Sequence, residues 1–148
     1  AGRSGRAVSP SAGCVFCRII AGDEPAHVVF SDDVAVAILD ARPLFVGHTL
    51  VMPRDHHETL ADLPVDAIDP LFRRVRRLSS VMEDRLGAQG SFVAMNNRVS
   101  QSVPHLHVHV VPRTKGDGLR GFFWPRTRYD SEAHAAETAA DLTAGYRV

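Results

Sequence analysis

The chain of 148 residues has little cysteine, two in all, and no excess of either charge, since 17 Lys and Arg face 17 Asp and Glu. Two cysteines cannot staple a small secreted domain, and a chain of this length can bury a core without disulfides. With no net positive field, general nucleic-acid binding lacks its electrostatic basis; with no acidic excess, the composition is not that of a disordered chain. No apolar run approaches the roughly 18 residues of a membrane span. The opening residues Ala1, Gly2, Arg3 and Ser4 lack the apolar stretch of a secretory signal. These absences lead to the expectation of one soluble, cytoplasmic, globular domain that engages neither nucleic acid nor membrane.

What is present begins with a small, polar, Gly/Ser/Arg-rich stretch over residues 1–13, expected as a flexible tail ahead of a single domain over residues 14–148. The apolar run 15–20 is short enough for one or two helical turns. Runs 27–30 and 34–39, rich in β-branched residues and separated by Ser31, Asp32 and Asp33, read as a hairpin. Residues 48–52 give a further strand that Pro53 should stop. Asp69 followed by Pro70 looks like a helix start; Leu71, Val75, Leu78, Met82 and Leu86 then share one face, and Gly87 ends the helix. The arginines at 73, 74, 76 and 77 fall mostly on the other faces, as a solvated surface would place them. Residues 91–95 and 106–111 read as strands, and 131–144 as an Ala-rich helix capped by Asp130 or Ser131. Strands in hairpin succession with segregated helices make the class α+β with an antiparallel sheet.

Eight histidines are the unusual feature, and three of them fall in Pro104-His105-Leu106-His107-Val108-His109-Val110-Val111-Pro112. On a strand, alternation puts His105, His107 and His109 on one face and Leu106, Val108 and Val110 on the other. As core filling, three imidazoles would repel one another on charging at low pH and gain little. Two functional readings remain: the trio holds a metal, or one imidazole is a nucleophile whose neighbours bind metal, hold geometry and carry protons. Cys14 and Cys17, spaced Cys-x-x-Cys, are by themselves either half of a zinc site or a redox dithiol.

The segment from His105 to Val111 resembles the His-φ-His-φ-His-φ-φ signature of the histidine triad (HIT) family, in its bacterial HIT-like form. Segments 14–22, 38–40, 47–53 and 101–103 are similar to family segments in the family's order, so the resemblance covers about Cys14 to Trp124. It implies a five-stranded antiparallel sheet with helices packed on it, assembled as a homodimer. It also implies a purine nucleotide substrate cleaved at its α-phosphate.

By that resemblance His107 is the nucleophile, taking the nucleotidyl group before water releases AMP. His109 and His48 attend the phosphate and leaving group, and the Ser102 hydroxyl contacts one or the other. Asn96 and Gln101 are the remaining expected phosphate contacts, although the loop between them is about two residues shorter than the family pattern and carries Ser100 where glycine is common. Asp40 would accept the ribose hydroxyls, with Ile38 and Leu39 lining the base pocket. Cys14, Cys17, His56 and His105 match the four positions of a closed, structural zinc site, one per chain. His27 and His57 are left as surface residues. The leaving group is an amine, as in adenosine phosphoramidates, or a second nucleotide, as in dinucleoside polyphosphates. Two rivals stand beside this reading: a zinc metallohydrolase using the three strand histidines as ligands, and a non-catalytic nucleotide-binding module.

Overall fold

The structure, a computed structural model, describes residues 13–120 and 125–147. Apart from Gly13, the expected tail lies outside the described residues. Contacts divide the chain into two parts, which meet between Asp117 and Gly118 in the sequence.

The first part holds a short helix α1 (Val15–Ala21), a long helix α2 (Val65–Leu86) and five strands. The strands are β1 (Val28–Ser31), β2 (Ala35–Leu39), β3 (Thr49–Pro53), β4 (Gly90–Ala94) and β5 (Val108–Arg113). They form one sheet in the order β1-β2-β3-β5-β4 with every neighbouring pair antiparallel, the expected architecture.

Alternation along the strands builds a core on both faces. Ala35, Ala37, Val51, Val108 and Val110 face Leu71, Val75, Leu78 and Met82 of α2. Val36, Ile38, Leu50 and Met52 face the other way, toward Phe16 and the two cysteines. A sheet covered on both sides needs apolar residues at successive positions, which is why β2 and β3 read as continuous apolar runs. Each fully buried aliphatic side chain of the α2 stripe contributes about 1.5–3 kcal/mol of transfer free energy.

Three expectations shift. Helix α2 starts at Val65, preceded by Pro64, instead of at Asp69-Pro70, and Pro70 lies within it. Its first turn points outward, with Val65 86% exposed, so no apolar stripe betrays it. Pro70 is the sixth residue of α2, so its missing N–H removes one intrahelical bond, the one to the Asp66 carbonyl. Strand β3 does not stop before Pro53 but includes it. The strand expected from Leu106 begins as a regular ladder at Val108, yet Leu106, Val108 and Val110 all enter the α2-side core, so the alternation extends back through the histidines.

In the second part, α3 (Glu132–Tyr146) is capped by the Ser131 hydroxyl, which accepts from the His134 N–H at 3.0 Å. Among the described residues no helix is long and apolar enough to cross a membrane.

Candidate functional site

On the α1 side of the sheet, a cleft of about 780 Å³ opens between α1, the end of β2 and the start of β5. Its walls include Phe16, Ile38, Leu39, Asp40, Ser102, His107 and His109. A second groove of about 310 Å³, between β1 and α2, is lined without histidine or cysteine.

The hydrogen bonds fix the tautomers of His107, His48 and His109, because carbonyl oxygens only accept and backbone N–H groups only donate. His107 Nδ1 lies 2.7 Å from the His105 carbonyl. Its proton is therefore on Nδ1, and Nε2 keeps its lone pair. His48 Nδ1 accepts from the Leu44 N–H at 3.0 Å, so the His48 proton sits on Nε2. That Nε2–H donates to His109 Nδ1 at 2.9 Å, which leaves the His109 proton on Nε2. The rings of His107 and His109 lie 5.1 Å apart by centroid. An unprotonated nitrogen and an N–H donor thus stand side by side.

Burial is the main cause that holds these imidazoles neutral at neutral pH. It pushes His109 down to about 4, with His107 and His48 adding to the shift. It also lowers His107 and His48, the Asp40 carboxylate partly opposing it in each case. Asp40 accepts from the Arg42 N–H at 2.8 Å through one oxygen and stands 3.6 Å from His48 Nε2 through the other.

His105 belongs to a different cluster. Its Nε2 faces the Pro53 carbonyl at 2.9 Å and so carries the proton, leaving the Nδ1 lone pair free. That nitrogen lies 3.5 Å from each of Cys14 Sγ and Cys17 Sγ and 3.2 Å from His56 Nδ1, and Cys17 Sγ is 3.3 Å from His56 Nδ1. A tetrahedral zinc ion with bonds of roughly 2.0–2.3 Å would separate its ligands by roughly 3.3–3.8 Å. The four donors fit that shape, and the carbonyl behind His105 is the outer partner that orients a ligating imidazole. Asp40, His48 and His109 also converge. There, however, His48 offers the proton on Nε2 and not a lone pair, so the group reads as a hydrogen-bonded relay.

The structure therefore gathers His107, His109, Ser102, Asp40, Ile38 and Leu39 around one cleft, with His48 behind His109, and places Cys14, Cys17, His56 and His105 together. Neither Asn96 nor Gln101 is in the cleft wall. The Gln101 amide is taken up by backbone groups, donating to the Glu58 carbonyl after β3 at 2.6 Å and accepting from the Arg98 N–H of its own loop at 2.9 Å. The short loop holds Arg98 and Ser100 at φ of 69° and 60°. His56, not His57, enters the cysteine cluster, and the His57 carbonyl accepts from the Leu106 N–H at 2.7 Å. His27 is exposed, as expected, and it also borders the cleft. Phe16 and Ile19 of α1 also line it; their i, i+3 spacing was the one available signal.

The HIT domain matches residues 21–116, and the chain belongs to the HIT family. Over 107 residues it is 41% identical to an uncharacterized HIT-like protein of Methanocaldococcus jannaschii, covering 71% of this chain and 82% of that protein. It is 33% identical over 108 residues to an adenylylsulfatase of Arabidopsis thaliana, covering 72% of this chain and 55% of the relative. With an adenosine 5'-monophosphoramidase of Candida albicans it shares 29% identity over 125 residues, 80% of this chain and 82% of the other. A solved zinc-bound histidine triad family protein from Mycobacterium smegmatis has a TM-score of 0.70 at 34% identity, over 90% of this chain and 97% of that one.

Proposed function

We propose that the protein is a nucleotide hydrolase or transferase that cleaves a purine nucleotide conjugate at its α-phosphate through a nucleotidyl-His107 intermediate and releases AMP. The observation that carries this reading is the pair of fixed tautomers: a bare His107 Nε2 beside a protonated His109 Nε2 in the wall of a nucleotide-sized cleft. Relatives named as an adenylylsulfatase and an adenosine 5'-monophosphoramidase support it.

The His107 Nε2 lone pair forms a bond to the α-phosphorus as the bond to the leaving group breaks; the His109 Nε2–H donates a hydrogen bond that stabilises the charge developing on the departing atom, which takes its proton from water. The His105 carbonyl, already bonded to His107 Nδ1–H, stabilises the positive charge that develops on the ring. Water then attacks phosphorus, its proton passes to solvent, and the N–P bond breaks to restore the His107 lone pair and release AMP. Asp40 receives the ribose hydroxyls, the Ser102 hydroxyl donates to phosphate, and Ile38 and Leu39 flank the base. Splitting one high barrier into two lower ones is what the covalent step contributes.

Cys14, Cys17, His56 and His105 hold zinc as a closed structural site. Bound there, the ion supplies a cross-link between the N-terminal segment and the sheet, with no position left for water. This arrangement argues against the metallohydrolase rival, because His105 presents its lone pair to the cysteines and His107 presents a proton to the His105 carbonyl. The homodimer and the cytoplasmic location belong to the same proposal. The test is incubation with adenosine phosphoramidate, dinucleoside polyphosphates and adenylyl sulfate, monitored for AMP. Release from at least one supports the reading, whereas AMP binding with no release from any of them favours the non-catalytic module.

A further inference from the structure

Helix α1 has seven residues, too few to persist as a helix by itself, so its place depends on what it docks against. Cys14 caps its first turn, the Sγ accepting from the Cys17 N–H at 3.4 Å, and both thiols belong to the cluster with His56 and His105. Between them stands Phe16, only 6% exposed. Its ring meets two imidazoles edge-on, His105 at a centroid distance of 5.9 Å and His107 at 5.0 Å, with interplanar angles of 80° and 81°.

Among the described residues, the directional contacts of the buried His107 ring other than Phe16 are the hydrogen bond from Nδ1 and the ring of His109. The terminal torsion of a histidine is broad, so a single bond at one ring nitrogen leaves the plane able to swing about it. Phe16 closes one side of that swing. An attack on phosphorus tolerates little rotation of the Nε2 lone pair, and a misplacement of about 1 Å can cost roughly 100-fold in rate.

We infer that Phe16 is a positioning residue for His107, and that metal at Cys14, Cys17, His56 and His105 acts on nucleotidyl transfer through it, by pinning the helix that carries it. The inference rests on the function proposed above. Two routes lead from the metal to His107: through α1 and Phe16, or along the chain from His105, whose carbonyl holds the His107 ring. The sheet secures the second route without metal. His105 Nε2 bonds to the carbonyl of Pro53 in β3 at 2.9 Å. Helix α1 has two of the four metal ligands in its first turn and its cap, so removing the ion loosens the helix before the strand.

The experiment compares wild type with Phe16→Leu, which keeps apolar volume without a ring, and with Phe16→Met should the leucine variant not fold. Each is studied zinc-loaded and chelated. The readouts are the single-turnover rate of nucleotidyl transfer from adenosine phosphoramidate, the Kd for AMP by calorimetry, and the ring 1H–15N resonances of His107. In wild type, chelation is expected to slow transfer roughly 10- to 100-fold, to raise the Kd for AMP by a smaller factor and to shift the His107 resonances. Zinc-loaded Phe16→Leu should show a comparable loss, with chelation adding less than about twofold, because the two perturbations act through one contact. If chelation costs as much in Phe16→Leu as in wild type, the metal acts through His105 and the inference is overturned. It is overturned equally if zinc-loaded Phe16→Leu transfers at the wild-type rate. Should zinc-loaded wild type transfer nothing, the proposed function fails, and the His107 resonances still decide the coupling: a chelation shift that is present in wild type and absent in Phe16→Leu upholds it.

Discussion

Gly47 immediately precedes His48 and adopts φ of 101°, a region that disfavours any side chain. A Cβ built there would stand 2.5 Å from Leu86 Cδ1 and 3.3 Å from Pro112 Cγ. Gly47→Ala should therefore incur two separable costs. The backbone strain is about 1–3 kcal/mol. The clash with Leu86 is smaller, since that side chain is 51% exposed and its end can rotate away, at about 0.5–1.5 kcal/mol for an off-rotamer position. Together they predict a loss of about 1.5–4.5 kcal/mol. At roughly 2–4 °C per kcal/mol for a chain of this size, that is a fall in Tm of roughly 3–18 °C. Urea unfolding of Gly47→Ala in wild-type and Leu86→Ala backgrounds separates the parts: without Leu86 only the strain should remain. A total below about 0.5 kcal/mol would refute the strain argument, and an equal cost in both backgrounds would refute the clash. Because the His48 N–H bonds to the Phe45 carbonyl and the His48 carbonyl accepts from Asp40, turnover should fall along with stability.

Three further outcomes follow from the site. His107→Ala should lose turnover by roughly 1000-fold or more while still binding AMP in calorimetry, since it removes the nucleophile and spares the ribose and base contacts; turnover near wild type would end that assignment. Elemental analysis of gently purified protein should find one zinc per chain, and Cys14→Ser or His56→Ala should lower both metal content and Tm; zinc retained in a Cys14→Ser/Cys17→Ser protein would contradict the site. Burial lowers His48 and takes His109 to about 4, against about 6.5 in an unfolded chain, so below pH 6.5 the unfolded state binds protons that the folded state refuses. Stability is then fully present above about 6.5 and declines as pH falls toward about 4, and urea midpoints at pH 7, 6 and 5 should show a shallower decline for His109→Gln.

The sheet, its antiparallel order and the long helix were legible because alternation and the four-three spacing of Leu71, Val75, Leu78 and Met82 are properties of the sequence itself. The beginning of α2 was not, since its exposed first turn carries no stripe and Pro70 looks like a natural first residue. The shared face of His107 and His109 followed from period two, and the Cys14, Cys17, His56 and His105 set from matching positions to a family. What remained hidden depends on backbone groups and packing. The Leu44 N–H that sets the His48 tautomer, the loop bonds that occupy Gln101, and the edge contact of Phe16 with His107 join residues with no sequence periodicity between them.

The central claim is that His107 bonds to the α-phosphorus, and trapping that bond tests it most directly. Acid destroys a phosphoramidate, so turnover of an adenosine conjugate is quenched rapidly in alkaline denaturant and the protein is weighed and digested. The account predicts protein heavier by one adenylyl group, the added mass on the peptide containing His107, and retained configuration at a chiral α-phosphorus after two in-line displacements. Inversion, with no adduct at any time point, would contradict it.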